Sequence, residues 1–171
     1  MRLIKSGLIF AAFGLVTLAA AGIARADVAI GGKAPDFTLT SVDGKPVALH
    51  DYAGRIVVIE WFNPDCPFVK YAHGKDGPLV SQPKRVMSEG AVWLAVNSSA
   101  PGKQGNGAER NMKAGKDYAM GYPILLDADG KVGKLYGAKT TPHMYVIDKT
   151  GVVRYVGALD NAPLGRHEGS V

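Results

Sequence analysis

The chain has 171 residues, 47% of them apolar and 20% charged, with 22 Gly, 10 Pro and a single Cys. That profile excludes collagen-like, coiled-coil and intrinsically disordered chains and suits one ordinary domain. The formal net charge is +5, but without Arg2, Lys5 and Arg25 of an amino-terminal leader 17 basic residues face 15 acidic ones, and no basic stripe interleaved with aromatics points to nucleic acid.

Arg2 and Lys5 precede an apolar run from Gly7 to Ala24, and the run ends in Ala24-Arg25-Ala26, a small-x-small pattern. This is the make-up of a secretory signal peptide cleaved after Ala26. An uncleaved anchor is the alternative, since the run is close to the shortest length that spans a bilayer. Either way residues 27–171 are expected to fold as one domain beyond a membrane, periplasmic or secreted, in an oxidising compartment. With the leader removed, no membrane association is expected.

The elements then alternate. Phe37–Leu39 and Pro46–Leu49 flank Asp43-Gly44, which predicts a short hairpin. Arg55–Phe62 is a β-branched run suited to a buried strand. Cys66-Pro67 opens a helical stretch, with Pro suited to the first helical position. Gly74, Gly77-Pro78 and Pro83 divide that stretch into two short helices ending near Glu89. Ala91–Val96 is the next strand, and a loop of Ser, Gly, Asn and Pro, Asn97–Gly107, leaves it as a mobile, substrate-facing segment. Ala108–Tyr118 reads as helix, Ile124–Leu126 as strand and Val132–Tyr136 as a helical turn. His143–Ile147 and Val152–Val156 form a closing hairpin. The order predicts a largely parallel sheet with helices on both faces and an antiparallel end.

Cys66 stands just after a buried strand and at the amino end of a helix, where unpaired N–H groups and the helix dipole favour thiolate. Ligands of α/β sheets are met at the carboxyl ends of the strands. Asp65 works against thiolate formation, and a buried packing cysteine is the alternative. With one cysteine in the chain, no intramolecular disulfide and no structural zinc pattern can form.

Three landmarks resemble the thioredoxin-like redoxins of the alkyl hydroperoxide reductase and thiol-specific antioxidant type. They are Gly32-Lys33-Ala34-Pro35-Asp36-Phe37; Val57-Val58-Ile59-Glu60-Trp61-Phe62 leading to Cys66-Pro67; and Thr140-Thr141-Pro142 followed by Ile147-Asp148 and Gly151. The resemblance implies a thioredoxin-like α/β fold, a central mixed sheet flanked by helices. It also implies that Cys66 is the redox thiol, that Glu60 is a buried acid six residues before it, and that Pro142 is a cis-proline facing it. A cis bond there would present the Thr141 backbone to an extended substrate.

The departures are as informative. Cys66-Pro67-Phe68-Val69 lacks the second cysteine that resolves mixed disulfides in the thioredoxin motif. Ile59 and Asn63 stand where a peroxiredoxin carries Pro and Thr or Ser, and Pro142 occupies the neighbourhood of its Arg, so fast peroxide reduction is not expected. After Val156 the chain shows no helical period, so the family's closing helix is missing and one face of the sheet is expected to be partly uncovered.

Glu60 is expected either to exchange a proton with Cys66 through water or to point to solvent from a strand edge. His143 reads as a surface or packing histidine and His73 as a helix-end cap, which leaves no metal site and no cofactor. Asn63 and Asp65 are expected to bond the turn before the helix. Of Trp61 and Phe62, one is expected in the core and one near the active-site surface.

The sequence thus predicts an exported thiol-dependent oxidoreductase acting through Cys66 as a mixed disulfide or sulfenic acid. Glu60, Thr141 and Pro142 support it, and an external thiol or redox partner protein completes the cycle, with a protein as a candidate substrate. The competing expectation is a non-catalytic binding module for a protein or metal that uses the Pro142 groove.

Overall fold

The computed structural model describes residues 28–161 and residue 164. The leader expected at 1–26 lies outside the described residues, as does most of the segment after residue 161. Seven strands form one sheet: β1 (Thr38–Ser41), β2 (Pro46–Ala48), β3 (Val57–Trp61), β4 (Val92–Asn97), β5 (Ile124–Leu126), β6 (His143–Ile147) and β7 (Val153–Gly157). The helices are α1 (Pro67–Ala72), α2 (Gln82–Ser88), α3 (Ala108–Asp117) and α4 (Lys131–Tyr136), with single 3₁₀ turns at Leu49–Tyr52 and Pro78–Val80. Gly74 and Gly77-Pro78 do separate α1 from α2. No α-helix comes after β7 among the described residues, and none of their helices is long and apolar enough to cross a membrane.

The strand order is β2-β1-β5-β4-β3-β6-β7. Only β3, β4 and β5 run parallel; β6 and β7 on one side and β1 and β2 on the other are antiparallel to their neighbours. The sheet is therefore mixed, as the resemblance implies, and not largely parallel as the order of elements alone suggests. The reason lies in α4, whose six residues are too few to carry the chain back along the sheet. β6 accordingly starts at the end where β5 stops, with His143 opposite Trp61.

Every residue of β3 and β4 is buried, as central strands covered on both faces should be. Alternation divides their side chains between two layers. Val57, Ile59, Trp61, Leu94 and Val96 pack with Val132 and Tyr136 of α4 and with Tyr145. On the other face Val58, Trp93 and Met144 meet Ala72 and the α2 side chains, while Phe62 and Ala95 meet Val69 and Ala114. Trp61 and Phe62 are thus both buried, at 3% and 1% exposure. They differ in the layer they fill, because successive strand residues point to opposite faces.

Asp127, just after β5, is the anchor of α4. Its buried carboxylate accepts hydrogen bonds from Val132 N at 3.1 Å, Gly133 N at 2.8 Å and Ser98 Oγ at 2.6 Å. It thereby satisfies the helix's first N–H groups, which Gly130 at the N-cap has no side chain to reach. Asp127→Ala strands these donors in the core, and a loss of about 1–3 kcal/mol is expected in urea unfolding.

Candidate active site

β3 delivers the chain to a corner at the carboxyl end of the sheet. Asn63 Oδ1 accepts from Asp65 N at 2.8 Å, an Asx turn, and Asn63 O accepts from Cys66 N at 3.1 Å. Cys66 is the N-cap of α1 and Pro67 its first residue, so the thiol lies at the end of the helix where N–H groups lack intrahelical acceptors. Asn63 thus bonds the turn as its residue type predicts, whereas Asp65 joins the turn only through its backbone N–H and gives its carboxylate to Arg110 of α3.

The Thr141–Pro142 peptide is cis, and this segment reaches the same end of the sheet because β6 begins there. The half-buried Cys66 Sγ–H donates to the Thr141 carbonyl at 3.1 Å. Cys66, Thr141 and Pro142, separated by some 75 residues of chain, therefore share one small surface.

Glu60 is fully buried and does not face solvent. An isolated carboxylate there would be costly, and two side-chain donors meet it: His73 Nε2 lies 2.7 Å from Oε1 and Trp93 Nε1 donates to Oε2 at 3.2 Å. His73 comes directly after the last residue of α1, and its ring turns into the core, stacking on Tyr118 at 5.2 Å and standing edge-on to Phe62 at 5.6 Å. It is a buried partner of Glu60 in addition to closing the helix. The pair ties α1, which carries Cys66, to β3 beneath it. Among the described residues the Tyr122 hydroxyl is the one buried side-chain polar atom without a partner at hydrogen-bond geometry. Burial first, and then the charge of nearby Glu60, pushes its pKa far above that of an ordinary phenol.

Asp65, beside Cys66, is paired with Arg110 of α3 at 2.6 Å, and the same guanidinium bonds Pro64 O at 3.1 Å. The Arg110 hydrogen bond outweighs the effect of burial and holds the Asp65 carboxyl below its ordinary value. The negative charge expected to oppose thiolate formation is thus compensated. A carboxyl held low in the folded protein contributes its full stability above the unfolded value of about 3.9 and loses it as pH falls through the folded value. Arg110→Ala should therefore be less stable than wild type at neutral pH and converge with it in acid. The same variant should react more slowly at Cys66 with an anionic disulfide, because the Asp65 charge is left unscreened.

The loop 98–107 faces this corner, yet it is tied down where the sequence points to mobility. Asn97 and Asn111 both donate to Gly105 O, at 2.9 and 2.8 Å, and Asn63 donates to Gln104 O at 3.1 Å. Gln104 returns a bond to Asp65 O at 3.2 Å. Gly105 has φ +76° and sits so close to the Asn63 side chain that a Cβ there would collide with it. The buried amides that cross-link the loop outweigh its Gly and Ser content.

Two depressions flank Thr140–Thr141. One, of about 390 Å³, is bordered by Trp61, Asn63, Ser98, Lys134 and Lys139. The other, of about 230 Å³, is apolar and lined by Phe68, Tyr71, Pro142 and Leu159. His143 is half-buried against Tyr145, as a packing histidine, and burial followed by the Lys139 charge holds its pKa below the ordinary value. Among the described residues no group of three His, Cys, Asp or Glu side chains is placed to hold a metal ion.

Sequence reasoning missed Arg110, Trp93 and the pairing of His73 with Glu60. Topology offered one signal: α3 leaves the loop after β4, next to β3, so its first turn opens toward the Cys66 corner.

Comparison with known proteins agrees with this geometry. The chain is 26% identical over 175 residues to the thiol-disulfide oxidoreductase ResA of Geobacillus thermodenitrificans, covering 100% of this chain and 94% of the relative. Among solved structures, an uncharacterized conserved protein from Geobacillus kaustophilus superposes with a TM-score of 0.75 at 30% identity, over 84% of this chain and 76% of that one. A putative thiol:disulfide interchange protein DsbE from Chlorobium tepidum gives 0.66 at 25% identity, over 81% and 92%. With residues 30–156 matching the AhpC/TSA family, the chain belongs to that family and has its thioredoxin-like fold.

Proposed function

We propose that the protein is an exported thiol-disulfide oxidoreductase that works through Cys66 alone. The observation that carries this reading is the convergence of a half-exposed thiol, the Thr141 carbonyl and an apolar groove at the carboxyl end of the sheet. In the forward step the Cys66 thiolate attacks one sulfur of a substrate disulfide. The substrate S–S bond breaks, its other sulfur leaves as a thiolate and takes up a proton, and Cys66 is left in a mixed disulfide. An external thiol or redox partner then breaks that bond. Pro142 and Thr141 border the groove in which an extended, apolar segment of a protein substrate lies. Glu60, beneath α1, exchanges a proton with Cys66 through water. Export rests on Arg2, Lys5, the apolar run and Ala24-Arg25-Ala26.

Peroxide reduction is the weaker chemistry here. Asn63 stands where a peroxiredoxin has Thr or Ser, and its amide is committed to Ser99 and Gln104. Arg110, the nearest guanidinium on an adjoining helix, is committed to Asp65 and Pro64. The apolar groove itself favours a second reading, a binding module that holds a peptide without chemistry.

The test offers the purified protein a disulfide-bonded peptide and, separately, hydrogen peroxide with a sulfenic-acid trap, and monitors the mass of the Cys66 peptide. The mixed disulfide should form faster than the trapped sulfenic acid. The reverse order would make the protein a one-cysteine peroxidase, and no adduct of either kind would leave only the binding module.

A further inference from the structure

We infer that the cleft bordered by Ser98, Ser99, Lys134, Lys139, Thr140 and Thr141 binds the reductant, and that this reductant is a small thiol carrying a carboxylate. The inference rests on the redox role of Cys66 and names the chemistry of the molecule that completes its cycle. The chain has one cysteine, so electrons must come from outside it. Cys66 lines neither depression, but its thiol bonds to Thr141 O and Thr140–Thr141 borders both, so each adjoins the residue that holds the sulfur, from its own side. They differ in chemistry. The groove of Phe68, Tyr71 and Leu159 suits an apolar chain segment, whereas the other cleft presents hydroxyls and two ammonium groups.

Its two ammonium groups are in no ion pair among the described residues, and they outnumber the one carboxylate behind the wall, Asp127. Lys134 and Lys139 are both exposed, and neither has a carboxylate partner among the described residues. Asp129 is paired with Lys131 at 2.7 Å. Asp127, close to Gly133, is buried and already accepts from Ser98, Val132 and Gly133. Ser98 is in turn fixed by Trp61 Nε1 at 3.0 Å, which gives the cleft a rigid wall. A volume of about 390 Å³ falls within the range of small-molecule sites, about 300–1,000 Å³, and is far too small for a folded partner. A carboxylate on Lys134 and Lys139 would leave the thiol of the same molecule free to reach Cys66. The donor thiolate attacks the Cys66 sulfur of the mixed disulfide, the S–S bond breaks, and the substrate sulfur leaves as a thiolate that is then protonated. Cys66 becomes disulfide-bonded to the donor, and a second donor molecule releases it as donor disulfide and free Cys66.

The experiment uses the uncharged 2-thiopyridyl disulfide of Cys66, formed with 2,2′-dithiodipyridine, and records release of thiopyridone. 3-Mercaptopropionate, 2-mercaptoethanol, cysteamine and glutathione are compared, each rate being divided by its rate on the same adduct in the urea-unfolded chain. On the folded protein 3-mercaptopropionate should be favoured over 2-mercaptoethanol by about tenfold, the low end of what a charged cleft supplies. Cysteamine should be disfavoured, and added salt should erase both effects. The double variant Lys134→Gln, Lys139→Gln removes the charges without reversing them at the end of α4, and it should bring the ratio near one. Equal ratios on folded and unfolded protein, or a preference that survives in the double variant, would overturn the inference while leaving Cys66 chemistry intact. Failure of the folded protein to form the thiopyridyl adduct at all would overturn both the inference and the redox reading beneath it.

Discussion

Cys66→Ser is expected to abolish disulfide reduction completely, because no other thiol exists in the chain to form the mixed disulfide. The substitution should leave the fold in place. The side chain is half-buried and its one polar contact is the Thr141 carbonyl at 3.1 Å, which a hydroxyl can also meet. A stability change within about 1 kcal/mol is expected, so lost activity would report chemistry rather than unfolding. The same variant separates the two readings of the groove. If it still binds an apolar peptide, as fluorescence anisotropy would show, binding and chemistry are separable functions of one surface. Residual disulfide reduction by the variant would contradict a mechanism that depends on Cys66.

His73→Ala is expected to be the most destabilising of the substitutions considered. It removes the group 2.7 Å from Glu60 Oε1 in a site where both side chains are almost wholly inaccessible. It leaves the carboxylate without its shortest contact, with the Trp93 donor remaining at 3.2 Å. Breaking a buried pair by deleting one partner costs about 3–5 kcal/mol, and the lost ring contacts with Phe62 and Tyr118 act in the same direction. Glu60→Gln should cost less, about 1–3 kcal/mol. Its amide oxygen can meet the Trp93 N–H, but its NH2 then faces His73 Nε2, which accepts only in the other tautomer. Urea unfolding of the three proteins gives the ranking. A His73→Ala variant as stable as wild type would mean that the pair contributes nothing to holding α1 on β3.

The proposed proton exchange between Glu60 and Cys66 is separable from the structural role of the Glu60–His73 pair. Glu60 contacts His73 and Trp93 directly, while Cys66 contacts Thr141. Any influence of Glu60 on the thiol therefore passes through the position of α1 or through charge. A Glu60→Gln protein that folds but exchanges disulfides with an altered pH profile would support the charge route. An unchanged profile would confine Glu60 to packing.

Much of the fold was legible because its signals are local. Ile124–Leu126 and His143–Ile147 emerge as strands at the residues their patterns predict, and Pro67 opens α1 directly after Cys66. The Cys66 corner was legible for the same reason, since strand, Asx turn and helix start are consecutive in sequence. The features that were not legible depend on contacts across the sheet. Glu60 finds His73 after a helix has folded back on β3, and it finds Trp93 from the neighbouring strand. Neither partner can be read from the spacing of an isolated acid. Asn97 and Asn111 restrain the loop at 98–107 through a carbonyl that composition does not reveal. The direction of β6 turned on the length of α4, a matter of a single helical turn. Trp61 and Phe62 are both buried, against the expectation of one near the surface, because both faces of β3 are covered.

Whether the fold presents Cys66 for disulfide exchange is read from the rate at which Cys66 reacts with 2,2′-dithiodipyridine in the folded protein and in the urea-unfolded chain at the same pH. The chain's single cysteine makes the signal unambiguous. The structure predicts reaction in the folded protein at least as fast as in the unfolded chain, since the thiol is half-exposed at the start of α1 and its neighbouring carboxylate is neutralised by Arg110. A folded protein that protects Cys66, reacting only as fast as it unfolds, would rule out exchange at this thiol and leave the AhpC/TSA fold here as a scaffold for binding.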